Sequence, residues 1–111
     1  MIARVWHGTT SRENADAYES MLKPELLPGL SRVPGFVTSY LLRRDIGDDV
    51  EFITIILFDS LDSLRQFAGP NYEESIVPED RKPLLKHHDK LAQHYEVASV
   101  GETSPPGAHL L

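Results

Sequence analysis

Three of the chain's five histidines, His87, His88 and His94, fall within eight residues of the stretch LLKHHDKLAQHYEV. Imidazoles at that density can hold a metal, ligate haem or pass protons near neutral pH, where the ring titrates. Each of these chemistries needs the rings to converge, so the backbone beneath them decides. On a helix at ~100° per residue, Leu84, Leu85, Leu91 and Ala92 form an apolar arc with His88 at its centre. His87 then sits at the edge of the arc, and Lys86, Asp89 and Lys90 point away. His94 falls beyond the helix, on a strand face shared with Glu96. On this reading His88 points inward and the three rings do not meet. The paired i, i+4 histidines of a helical zinc site are absent, so no metal site is expected. Inward, His88 is either a core histidine bonded to a carbonyl or a pocket residue that donates and accepts protons. His7, beside Trp6 at the end of the first strand, reads as a rim residue.

Tyr18, Tyr40, Phe58, Phe67 and Tyr72 can line an aromatic pocket between helices and sheet, or simply fill the core. No Gly-rich phosphate loop, Walker lysine, G-x-S-x-G elbow or CxxC occurs in the sequence. Nucleotide-dependent and serine-nucleophile chemistries therefore have no support. With no cysteine, thiolate chemistry and disulfides are excluded. A net charge of −6 argues against nucleic acid as a partner. No apolar run approaches the ~20 residues of a membrane span, and MIARVWHGTT has no signal-peptide core, so a cytoplasmic protein is expected.

The elements that must position these residues follow from periodicity. IARVW alternates and predicts a first strand over Ile2 to His7. Thr10 and Glu13 have the form of a capping box, and Ala15, Tyr18, Leu22 and Leu26 share a narrow arc, predicting a helix from 11 to about 27. FVTSYLLRR is a second strand, DIGDD a hairpin turn and VEFITIILF a third strand. A helix capped by Asp59 or Ser60 and stopped at Gly69-Pro70 follows, then a helix from about Glu79 to Ala92, with HYEVAS as the last strand. Strand–helix–strand–strand–helix–strand is the ferredoxin-like α+β plan, with the first and third strands central in a four-stranded antiparallel sheet. Residues 1–100 form the domain, and 101–111 read as a C-terminal arm.

In the third strand Phe52, Ile56 and Phe58 lie on one face, and Ile53, Ile55 and Leu57 on the other. An antiparallel strand usually wets one face, so a strand apolar on both must be covered on both. In so short a chain, a second copy is the economical second cover, and a homodimer through the sheet faces is expected.

The span from Ile2 to Val100 resembles the antibiotic biosynthesis monooxygenase family of the dimeric α/β-barrel superfamily. The resemblance is carried by ARVWHG, VPGFVTSYLLRR, EFITIILFDSLDSLRQFAG and the closing HYEV, in that order and spacing. It implies two ferredoxin-like sheets packed face to face. It also implies cofactor-independent oxygenation of a small aromatic or polyphenolic molecule, or the binding and degradation of haem. Where oxygenase members carry an Asn and a Trp one turn apart, this chain has Ser63 and Phe67. A pocket Tyr of the family is matched by Tyr72, and a pocket Arg by Lys86 or a neighbouring histidine. The implied site has His88 and Tyr72 handling protons, with Trp6, Tyr18, Tyr40, Ser63, Phe67 and His87 against the substrate and no cofactor. The alternatives are a non-catalytic binding or structural dimer of the same fold and a weak haem-binding relative.

Overall fold

The computed structural model describes residues 1–26 and 28–101. Leu27 and most of the expected arm therefore lie outside the described residues. Strand β1 (Ile2–Ser11) leads into helix α1 (Arg12–Leu26), and the hairpin of β2 (Phe36–Ile46) and β3 (Asp49–Phe58) follows. Helix α2 (Leu61–Ala68) precedes a long irregular segment and two short strands, β4 (Leu85–His88) and β5 (Gln93–Glu96). The sheet order is β2-β3-β1-β4, with β5 also on β1, and every pairing is antiparallel. The α+β plan with β1 and β3 central is the one the sequence predicts.

β1 runs four residues past His7, because Gly8 to Ser11 continue the ladder opposite Phe52 to Asp49. That shifts the helix cap: Thr10 is a buried strand residue, and the Asn14 N–H donates to Ser11 Oγ at 3.3 Å. α1 buries Ala15, Tyr18 and Leu22, as its apolar arc requires. α2 is capped by Ser60, whose hydroxyl accepts from the Ser63 N–H at 3.1 Å. Gly35 enters β2 at φ 82°, and a Cβ there would lie 2.1 Å from Ser63 Oγ, so only glycine fits between the turn and α2.

The largest departure lies in the stretch with the histidines. No helix spans Glu79 to Ala92; a short 3₁₀ turn, Lys82–Leu84, gives way to β4. The helical arc is a coincidence of local spacing that a long-range demand overrides. The outer edge of β1 carries unpaired backbone groups along its length, and two short strands satisfy them: β4 opposite Gly8 to Thr10 and β5 opposite Ile2 to Val5. Between them the Asp89 N–H donates to the His7 carbonyl at 3.0 Å, and the Ala92 N–H to the Glu73 carbonyl at 2.7 Å. On a strand, alternate residues face opposite ways. The burial expected for His88 is corrected: opposite Gly8 it shares the helix-side face, but at the edge of the sheet it stays in solvent. His87 and His88 are both exposed, with His88 opposite Gly8 and His87 opposite Thr9.

The core lies on the helix side of the sheet, in two clusters. One gathers Ala15, Tyr18, Leu22, Val50 and Phe52; the other gathers Leu30, Ile56, Phe58 and Leu64. On β3 every second residue from Val50 to Phe58 is buried, while Glu51, Ile53, Ile55 and Leu57 are only half-buried on the opposite face.

Candidate functional site

The inward row of β1 reads Ile2, Arg4, Trp6, Gly8, Thr10. A guanidinium between an isoleucine and a tryptophan, in a row that faces the core, is the departure that marks the site. Arg4 and Trp6 stand opposite Ile56 and Thr54 of β3, and these four form the floor of a cavity of about 220 Å³. Tyr18, Leu22, Glu25 and Leu26 of α1 make one wall, Phe67 of α2 and Leu30 another. Ile76, Val77, Pro78 and Arg81 from the irregular segment close over it. Leu26 packs against both core clusters, so the cavity opens where the two fail to merge. Gly8 keeps the floor in shape, since a Cβ there would meet the Trp6 ring at 2.9 Å.

Arg4 is 6% exposed, and it is held by backbone rather than by a counter-ion. Its guanidinium donates to the Tyr72 carbonyl and, at 3.1 Å, to the Glu74 carbonyl. It also lies 2.9 Å from His94 Nε2, which must accept, because arginine has only donors. Among the described residues no carboxylate forms an ion pair with Arg4. Burial lowers its pKa, but an arginine remains charged. The cavity thus carries a positive charge that the described side chains leave uncompensated.

Arg81 is 7% exposed and pairs with Glu25 through one terminal nitrogen. Among the described residues its buried Nε–H has no hydrogen-bond partner, and the Asp80 carboxylate lies 3.9 Å from it. Tyr18 borders the same space with its ring edge-on to Phe52 at 5.0 Å. Burial raises its hydroxyl pKa to about 12, with Arg81 opposing the rise and Glu25 adding to it. At neutral pH this phenol is a donor.

His94 sits behind the floor, its ring at 5.1 Å from Tyr72 in an edge-on arrangement. Burial, and then the charge of Arg4, lower its pKa, while Glu73 acts the other way. The sign follows from linkage: an unfolded imidazole takes up a proton that the folded one resists. Stability is therefore full above ~6.5 and falls as pH drops through the interval between the unfolded and the lowered folded pKa. His94→Gln is expected to flatten this part of a denaturation-midpoint profile. An unchanged slope would mean that neither burial nor the charge of Arg4 disfavours the protonated ring.

Of the residues expected from the sequence, Trp6, Tyr18 and Phe67 meet at the cavity. The others do not line it. His88 stacks obliquely on the outer edge of Trp6, with ring centroids 5.9 Å apart. His87 and Tyr40 lie on the sheet face away from the helices, where Tyr40 is 53% exposed. Ser63 is spent on the start of α2, donating to Asp59 at 2.6 Å. Tyr72 packs at the far side of Phe58 and Leu64, with the Arg65 guanidinium 5.6 Å from its ring centre. The histidine stretch instead ties the sheet together through Asp89. Its carboxylate accepts from the His7 backbone and lies 3.0 Å from the His7 ring, and its carbonyl accepts from the Trp6 indole at 2.9 Å. Among the described residues no group of three or more His, Cys, Asp or Glu is placed to hold a metal ion.

No family model matches the chain, and no curated protein matches it by sequence. Solved structures do match. A candidate antibiotic biosynthesis monooxygenase from Bacillus cereus superposes with a TM-score of 0.70 at 13% identity, over 95% of this chain and 98% of that one. A variant of SnoaB, a cofactor-independent oxygenase from Streptomyces nogalater, gives 0.63 at 20% identity, over 89% and 94%. MhuD, a haem-degrader from Mycobacterium tuberculosis with two haems in its active site, gives 0.58 at 17% identity, over 91% and 100%. The chain has the ferredoxin-like α+β fold of the antibiotic biosynthesis monooxygenases.

Proposed function

We propose that the protein takes a small aromatic molecule into the cavity above Arg4 and Trp6 and oxygenates it without a cofactor. The observation that carries this reading is the wall itself: three aromatic rings, aliphatic side chains and two buried guanidiniums around one space. An electron-rich aromatic ring, once deprotonated, supplies the electrons for its own oxidation. Molecular oxygen is the oxidant. One of its atoms replaces the hydrogen on the ring carbon para to the deprotonated hydroxyl as a carbonyl, the hydroxyl itself becomes the second carbonyl, and the other oxygen atom leaves with that hydrogen and the hydroxyl proton as water.

The chain's part is to bind, orient and stabilise the anion. Arg4 offers positive charge from the floor, and the Tyr18 hydroxyl, protonated at neutral pH, offers a hydrogen bond. Glu25 is the carboxylate in the lining and half-exposed, which suits it to take the substrate proton and pass it to water. His88 and Tyr72, expected as proton handlers from the sequence, have no side chain on this space. We take residues 1–100 as one domain that works as a homodimer through its open sheet face. No helix among the described residues is long and apolar enough to cross a membrane.

A second reading, a binder without catalysis, is favoured by one observation: among the described residues no imidazole lines the cavity. Oxygen-electrode traces with 1-naphthol, read together with formation of the quinone, separate the two. Consumption above the spontaneous rate, lost in Glu25→Gln, supports the oxygenase. Saturable quenching of Trp6 fluorescence with no added oxygen uptake supports the binder.

Haem is the third possibility, and here a negative result is expected. A volume of about 220 Å³ lies below the ~300–1,000 Å³ usual for ligand pockets, too little for a tetrapyrrole. A Soret shift that saturates at one equivalent of haem would overturn that.

A further inference from the structure

We infer that Thr54 is the specificity-determining residue of the cavity, its free hydroxyl on the floor receiving the hydroxyl of a neutral aromatic ligand. This rests on the reading of the cavity as the ligand site, and it adds the contact that chooses the ligand. Two independent observations support it. The first is a break in pattern. The inward row of β3 runs Val50, Phe52, Thr54, Ile56, Phe58, and one hydroxyl interrupts four apolar side chains. Val50 and Phe52 belong to one core cluster, Ile56 and Phe58 to the other. Thr54 stands between them, where the cavity opens.

The second is a hydroxyl without a bond. Among the described residues the Thr54 hydroxyl has neither a side-chain nor a backbone partner. Its neighbours on the ladders cannot serve it: the Trp6 indole is committed to the Asp89 carbonyl at 2.9 Å, and Leu41 is apolar. Nor is the oxygen sealed in. Among the described residues the one sealed side-chain polar atom left without a partner is Arg81 Nε, so the Thr54 oxygen, equally unbonded, is open, and Thr54 borders the cavity. An accessible, unbonded hydroxyl on the floor of an apolar cavity is the kind of polar group that orients a ligand. It donates and accepts, and it turns about its own C–O bond. It can therefore accept from a neutral phenol and donate to the same oxygen once the proton has left. A methyl group in that place would strand it. Trp6, Tyr18 and Phe67 supply the flat contact that makes the ligand aromatic.

Anaerobic calorimetric titration with 1-naphthol and with 1-methylnaphthalene, which share a shape, tests the inference on the wild type, Thr54→Val and Thr54→Ser. The wild type is expected to bind the naphthol about tenfold more tightly, the factor between a satisfied and a stranded hydroxyl. Thr54→Val should abolish that preference by weakening the naphthol alone, and Thr54→Ser should restore it. The valine variant should also keep or raise the denaturant midpoint, since it removes an unpaired polar group from the interior. A preference intact in Thr54→Val would overturn the assignment. So would a lowered midpoint, because the hydroxyl would then be bonded within the fold. Equal affinity of the wild type for the two ligands would remove the role of Thr54 and leave the cavity as a binding site. No binding of either ligand up to its solubility limit would remove the cavity reading, and this inference with it.

Discussion

Replacing Ile55 by lysine is expected to turn a homodimer into a monomer or an aggregate, read as a halved or a diverging mass by light scattering at micromolar concentration. Ile55 sits at the middle of the sheet face that the helices do not cover, between Tyr40 on β2 and Val5 on β1. Around it lie Leu42, Ile53 and Leu57, with Tyr95 at the β5 edge opposite Ala3. Tyr40, Leu42 and Tyr95 are exposed in the single chain. A continuous apolar face of this kind is seldom left to water. A second copy of the same face would cover it, and a twofold axis through Ile55 would bring two lysines together in the variant. An unpaired buried charge typically costs several kcal/mol, more than a marginal interface retains. The fold of each protomer should survive, because the core lies on the other side of the sheet. A wild-type protein that stays monomeric at the same concentration would remove the dimer altogether.

How far the sequence showed all this depends on whether the signal is local. β3 could be read because its two faces differ residue by residue from Val50 to Phe58, and burial then follows the alternation. α2 could be read because Ser60, Leu61, Leu64 and Gly69 fix both its ends and its inner face. The segment from Glu79 to Ala92 misleads because Leu84, Leu85, Leu91 and Ala92 satisfy a helical arc while the deciding force is the unpaired edge of β1, some eighty residues away in sequence. Strand pairing is a long-range bond, and no local window contains it. Pro83 and the Asp89 contacts to Trp6 and His7 then set where β4 starts and stops.

The site divides in the same way. Trp6, Tyr18 and Phe67 belong to regular elements, and all three border the cavity. Arg4 also carries a local signal: it occupies the inward phase of IARVW, where a charge has no ordinary reason to be. Arg81 had none. It lies in an irregular stretch with Glu79, Asp80 and Lys82, where a solvated charge is the natural reading, and it is buried only because the segment folds back over α1. Histidines are dense in one stretch, yet the cations that line the cavity are two arginines 77 residues apart.

Phe52→Ala is expected to destabilise the fold by about 3–5 kcal/mol, a large part of the ~5–15 kcal/mol that holds a domain of this size together. Phe52 is fully buried at the centre of the cluster that joins α1 to the sheet. Its ring meets Tyr18 edge-on at 5.0 Å, an arrangement worth up to about 1.5 kcal/mol beyond burial alone. On the side nearer solvent the Arg43 guanidinium lies 5.5 Å from the ring centre while bonded to Asp16 at 2.8 Å, so the ring backs a tie between β2 and α1. Across the ladder stands Gly8, which has no side chain to move into the space. The Trp6 ring that lies over Gly8 is fixed by its indole bond to the Asp89 carbonyl. The void should therefore remain largely open, which is the condition for a cost at the upper end of the range. It should also loosen Tyr18, and with it one wall of the cavity, so ligand affinity should fall together with the denaturant midpoint. Phe52→Leu should recover part of both. A loss below about 1 kcal/mol for the alanine variant, at unchanged m-value, would mean that α1 does not dock on the sheet through this ring.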